Sequence, residues 1–99
     1  MNGVSFIGPN IPFLSSEVEK LKPDLVGIFA IMVVKRVNNQ DDAQFVYWGY
    51  GRLKDELTKA RNNPCISGKV PTHFNYLEAP TDPLKRLKSL KEDFKPLCE

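Results

Sequence analysis

The stretch from Leu25 to Gly51 constrains the fold of this chain more than any other. It opens with an apolar run, Leu25 to Val34, passes through a polar interruption, and returns as the aromatic run Phe45-Val46-Tyr47-Trp48, closed by Gly49-Tyr50-Gly51. β-Branched and aromatic residues suit a pleated, mostly buried surface, and Asn38 to Asp42 between the runs has turn chemistry. The pattern therefore predicts two antiparallel strands at the centre of a small mixed fold. Along the first strand, Leu25 to about Lys35, residues Ile28, Ile31, Val33 and Val34 come with almost no polar alternation. A strand of that kind is covered on both faces, so helices are expected on each side of the sheet. Its partner is expected over Phe45 to Gly49, after a polar connecting loop from Val37 to Ala43.

The flanking segments fit that plan. Met1 to Pro12 carries Gly3, Gly8, Pro9 and Pro12, a breaker density that predicts an irregular or edge segment over 1–14, with Val4, Phe6 and Ile7 available to dock on the core. Ser15 and Ser16 precede Glu17, Val18, Glu19 and Leu21, an N-capped helix of about two turns that must stop before Pro23. It is too short to stand alone, so Val18 and Leu21 must pack on the sheet. Leu53, Leu57 and Ala60 fall at helical spacing, which predicts an amphipathic helix from Leu53 to Arg61, stopped by Asn62-Asn63-Pro64. Cys65 to Pro71 reads as a loop. Thr72 to Glu78 alternates as a third strand, with Phe74 and Tyr76 on one face and His73, Asn75 and Leu77 on the other. Thr81-Asp82-Pro83 starts a last helix, Asp82 as cap and Pro83 at its first position, with Leu84, Leu87, Leu90 or Lys91, and Phe94 as its buried stripe and Pro96 as its end. The expected fold is a single α+β domain over 1–99: a small three-stranded antiparallel sheet flanked by helices.

Composition bounds the function. Ninety-nine residues, 41% hydrophobic and 26% charged, describe an ordinary globular domain. Such a chain buries roughly 60 to 65% of the surface that it exposes unfolded, enough for one modest core but not for a large enclosed cavity. Any ligand site is thus expected in a surface groove or on a strand face. A net charge of +2 announces neither a nucleic-acid nor a membrane partner by itself, but the positive residues gather late in the chain: Lys85, Arg86, Lys88, Lys91 and Lys95, among Asp82, Glu92 and Asp93. Such a run is ordinarily the solvated face of a helix. Leu25 to Val34 falls far short of the roughly 20 residues of a membrane span, and the first residues show no basic region ahead of an apolar segment and no small-residue cleavage site, so neither a secretory signal nor a membrane partner is expected, and a cytoplasmic protein is. Cys65 and Cys98 lie far apart with no metal-spaced neighbour. They read most simply as reduced thiols, with one long-range disulfide as the alternative.

The candidate sites are few. Tyr47, Trp48 and Tyr50 beside Arg52 make a stacking surface with a cation nearby, as single-stranded nucleic acid or a base requires, although two of the rings serve equally well as core. Gly49-Tyr50-Gly51 lacks the third glycine and the parallel context of a phosphate-binding turn. His73 is the sole histidine, and on a strand it reads as a hydrogen-bonded surface residue before it reads as a catalyst. Asp41 and Asp42 read as turn residues rather than a metal pair. No nucleophile set of the Ser-His-acid or Cys-His kind is spaced along the chain, and no metal site or cofactor is expected.

Gly27-Ile28-Phe29 on the first strand, Tyr47-Trp48-Gly49 on the second, the helix Leu53 to Arg61 and the closing Leu90-Lys91-Glu92-Asp93-Phe94-Lys95-Pro96 together resemble the GIY-YIG nuclease superfamily. The likeness covers about Leu25 to Glu99 through short motifs. It implies that two motif tyrosines, a helix arginine and a metal-binding helix glutamate cleave one phosphodiester strand, where a cation offsets charge building on the phosphate and a carboxylate holds the metal. Tyr47 matches the second-motif tyrosine. Phe29 replaces the first and has no hydroxyl; Glu56 stands where the arginine would, a charge reversal, with Arg52 one turn early. Leu87 and Lys88 stand where the glutamate would, with Glu92 displaced from it, and Glu99 takes the place of the family's terminal asparagine.

Three readings follow. The first is a GIY-YIG-like domain without normal nuclease activity that binds DNA or RNA through Tyr50, Arg52, Lys85, Arg86 and Lys88, with Tyr47 as the matched catalytic position. The second is a protein-interaction or self-assembly module anchored by an exposed Trp48 or Tyr50. The third is an active endonuclease using Tyr47, Arg52 and Glu56, for which Mg²⁺ would be required.

Overall fold

The computed structural model describes residues 11–78 and 81–98, and the elements below are counted among these. In chain order they are β1 (Ile11–Pro12), α1 (Ser15–Glu19), β2 (Val26–Val37), β3 (Gln40–Arg52), α2 (Leu53–Arg61), α3 (Pro64–Gly68), β4 (His73–Glu78) and α4 (Pro83–Asp93). The sheet has the order β1-β4-β2-β3 with every pair antiparallel. The expected three strands are thus joined by a fourth, two-residue edge strand, where Ile11 and Pro12 pair with Phe74 and His73. Proline suits that place, since an edge strand can spare one N–H from the ladder. Val4, Phe6 and Ile7 lie outside the described residues.

The sheet is the middle layer of three, as the polarity of β2 requires. On its first face Phe29 and Ile31 join Phe74, Val18 of α1, Leu53, Leu57 and Ala60 of α2, and Ile66 of α3 in one core. On its second face Ile28, Ala30, Met32 and Trp48 are covered by Leu87, Leu90 and Phe94 from α4 and its end. Consecutive residues 28–32 of β2 are therefore all buried, because a strand sends neighbours to opposite faces and both faces are covered. No described helix is long and apolar enough to cross a membrane.

The hairpin differs from the expected loop. The strands run on to Val37 and Gln40, and the connection is the two-residue turn Asn38-Asn39, with φ of 51° and 64°. Two left-handed central residues make the type I′ geometry, whose twist matches the flanking strands, and asparagine tolerates that region better than most residues. Asp41 and Asp42 accordingly lie on a strand, in register with Arg36 and Lys35. Because β4 pairs with β2 only as far as Met32, the outer part of the hairpin is a two-stranded ribbon.

A bulge sets the aromatic pattern of β3. Ile31 pairs with Tyr47 while Met32 pairs with Phe45, which leaves Val46 as an extra residue. Val46 and Tyr47 both turn to the first face. In consequence Phe45 and Trp48, which three-residue spacing would send to opposite faces of a regular strand, share the second face and stack with centroids 4.8 Å apart.

Other boundaries shift for local reasons. α1 starts one residue after Leu14, which occupies the cap position without a side-chain bond, while Ser15 Oγ accepts a hydrogen bond from the Arg61 guanidinium. The region expected as a loop from Cys65 contains α3: Asn63 Oδ1 accepts the Cys65 and Ile66 N–H groups at 2.9 and 3.3 Å, and Pro64 takes the first helical position. Asp82 precedes α4 in the left-handed region, φ 47°, with no side-chain cap bond, and Leu84 is 70% exposed instead of buried. Cys65 and Cys98 are joined in a disulfide with Cα atoms 6.0 Å apart, which corrects the expectation of reduced thiols. Topology explains it, because α3 and the chain after α4 meet at the outer edge of β3, a proximity that a separation of 33 residues does not reveal.

Candidate functional site

The hairpin brings the two motif segments side by side. Gly27 pairs with Gly51, Ile28 with Tyr50 and Phe29 with Gly49. The Phe29 ring lies across Gly49, so that a Cβ there would come within 2.4 Å of Phe29 Cζ, and the Tyr47 ring sits 5.9 Å from the Phe29 ring. Phe29 is fully buried and Tyr47 half-buried against the first core. At Gly51, φ is 148°, and Glu56 packs over the position, its Cγ 2.9 Å from where a Cβ would stand. Glu56 also pairs with Lys59 Nζ at 3.4 Å on the surface of α2. Tyr47 and Glu56 thus belong to the first face.

Arg52 does not join them. Trp48 and Tyr50 both pack into the second core, and the same alternation places Arg52, paired with Val26, on the second face. The arrangement divides the expected set of Tyr47, Arg52 and Glu56 across the sheet. Leu87 is packed in the second core and Lys88 is exposed, while Glu92 is exposed on α4, on the side of the sheet away from Tyr47. Among the described residues no group of three or more His, Cys, Asp or Glu is placed to hold a metal ion.

The aromatic surface is likewise divided. Trp48 is fully buried, and its Nε1–H donates to the Phe94 carbonyl at 2.8 Å, which removes it as an exposed anchor or stacking platform. Tyr50 remains half-buried on the second face and Arg52 exposed. α4 covers that face and presents Lys85, Arg86 and Lys88 to solvent. Next to these, Lys88, Lys91, Glu92, Lys95 and Pro96 line an open depression of about 460 Å³. Lys91, one turn from Lys88 on α4, and Lys95, just past the end of that helix, stand outside the expected set.

His73 is half-buried, with Nδ1 2.8 Å from Thr72 Oγ1, and the same hydroxyl accepts the Val34 N–H at 2.8 Å. This histidine takes part in closing the end of the β2–β4 ladder. Comparison of the chain with protein-family models, with curated proteins and with solved structures finds no match.

Proposed function

We propose that this is a GIY-YIG-like domain without normal nuclease activity that binds DNA or RNA across the second face, through Tyr50, Arg52, Lys85, Arg86 and Lys88. The observation that carries the reading is the common side of the sheet shared by Tyr50, Arg52 and the exposed basic surface of α4. A half-buried ring beside cations offers a base face and a phosphate partner together. The likeness to the family is supported by the order of hairpin, helix, third strand and closing helix, with β1 and α3 as additions, and by the pairing of Gly27-Ile28-Phe29 with the strand that carries Tyr47-Trp48-Gly49. Loss of cleavage is supported by the buried Phe29 and by the separation of Tyr47 and Glu56 from Arg52.

The test is a titration of labelled single- and double-stranded DNA and RNA at several salt concentrations, with and without Mg²⁺. Binding is expected to weaken with salt, and replacing Lys85, Arg86 and Lys88 by glutamine is expected to reduce the log-log slope by about 2 to 3, the counterions of three phosphate contacts. No nicking is expected with Mg²⁺ or Mn²⁺. Affinity independent of salt, or unchanged in the triple variant, overturns the proposal.

A protein partner is the second reading, favoured by Leu84, an apolar side chain 70% exposed on α4. Light scattering that shows self-association abolished by Leu84→Ser is the outcome expected of it.

A further inference from the structure

After α4 the chain passes from one layer of the molecule to another. Phe94, at the end of α4, packs in the second core and gives its carbonyl to Trp48. Three residues on, the Leu97 and Cys98 N–H groups donate to the Phe45 and Val46 carbonyls at 3.0 and 2.7 Å. Cys98 then lies 2% exposed in the first core. Residues 95–98 therefore form a strap round the outer edge of β3, the last strand of the sheet, at its bulge. Lys95 and Leu97 are exposed, so the strap packs through alternate residues only. Its end is fastened by the disulfide to Cys65, which is exposed on α3.

The other buried residues of the first core come from other parts of the chain. Phe29, Ile31, Leu53, Leu57 and Phe74 come from β2, α2 and β4 and are fully buried. The Cys65–Cys98 bond thus joins an exposed residue of α3 to a buried residue on a short segment outside the helices and strands, an arrangement that suits opening under reduction from the Cys65 side.

We propose that the strap is a redox-released cover of the β3 edge. A thiolate from a cellular dithiol attacks the Cys65 sulfur, forming a mixed disulfide there and expelling the Cys98 thiolate, which takes up a proton. The second thiol of the dithiol then displaces Cys65 as its thiol, so that two electrons pass to the protein and the reductant leaves as a disulfide. The freed strap leaves the Phe45 and Val46 carbonyls, and the edge at the bulge opens while sheet and helices stay folded. The inference rests on this geometry and not on the ligand proposed above.

Amide hydrogen exchange on the full chain, oxidised and after dithiothreitol, tests it together with iodoacetamide labelling without denaturant. On reduction the Leu97 and Cys98 amides are expected to exchange on the order of a hundredfold faster while Phe29 and Ile31 keep their protection, and Cys98 is expected to label as well as Cys65. The Cys65→Ser variant, which cannot close the bond, should match the reduced state under both conditions. Unchanged exchange at Leu97 and Cys98 with labelling confined to Cys65 overturns the proposal, as does loss of protection throughout β2, which would make the disulfide a staple of the whole fold.

Discussion

Gly49 and Phe29 show how a single pair of residues ties a motif to its packing. They are cross-strand partners, and the Phe29 ring occupies the space that any side chain at 49 would need. Gly49→Ala is therefore expected to cost about 1 to 3 kcal/mol, the usual range for a methyl forced into a filled interior. Urea denaturation checks this. In a Phe29→Leu background, where the ring is gone, the same substitution should cost markedly less, and additive costs would show that the contact does not govern the site. The sequence already placed a glycine and an aromatic residue on neighbouring strands. It could not show that they meet, because that depends on register. Nor could it show that Trp48 is interior: Phe45-Val46-Tyr47-Trp48 reads as a plain alternating strand until the unpaired Val46 shifts the phase.

Among the elements, α2 was legible to the residue, since Leu53, Leu57 and Ala60 repeat at helical spacing and Asn62-Asn63-Pro64 cannot continue a helix. α3 was not, because five residues carry no periodicity and its start signal, Asn63-Pro64, doubles as the stop of the helix before it. The hairpin was legible in kind and not in extent. Its outer strands are polar because they leave the covered part of the sheet, and polarity there resembles loop composition. The turn itself gives a sharp expectation. Asn38 and Asn39 both hold positive φ, and type I′ turns favour glycine at the second position. Asn39→Gly is expected to stabilise the domain by a few tenths to about 1 kcal/mol, since glycine meets no steric penalty there. Destabilisation in the same urea assay would contradict the turn assignment, whereas Asn39→Val, β-branched at positive φ, should be clearly unfavourable.

For the whole molecule, two cores on opposite faces of one sheet are bridged at the β3 edge. The Trp48 bond to Phe94 holds the end of α4 against the second core, and the Cys65–Cys98 bond holds the segment after α4 against the first. Layer order was legible in the unbroken apolar run of β2, which requires cover on both sides. The bridge was not, because the meeting of α3 with the C-terminal residues is a property of the assembled layers. Closing a loop of 33 residues removes about 4 kcal/mol of chain entropy from the unfolded state. Domains of this size are stable by about 5 to 15 kcal/mol, so the reduced protein should remain folded with a smaller margin. Reduction is thus expected to lower the thermal midpoint by roughly 15 to 30 °C while leaving one cooperative transition. Scanning calorimetry of the oxidised and dithiothreitol-treated protein measures both quantities. A midpoint that does not move would mean that the loop is already constrained without the bond. Loss of the transition would mean that the two cores cannot hold the sheet by themselves, contrary to the burial of Phe29, Ile31 and Leu57 on one face and of Ile28, Ala30 and Trp48 on the other.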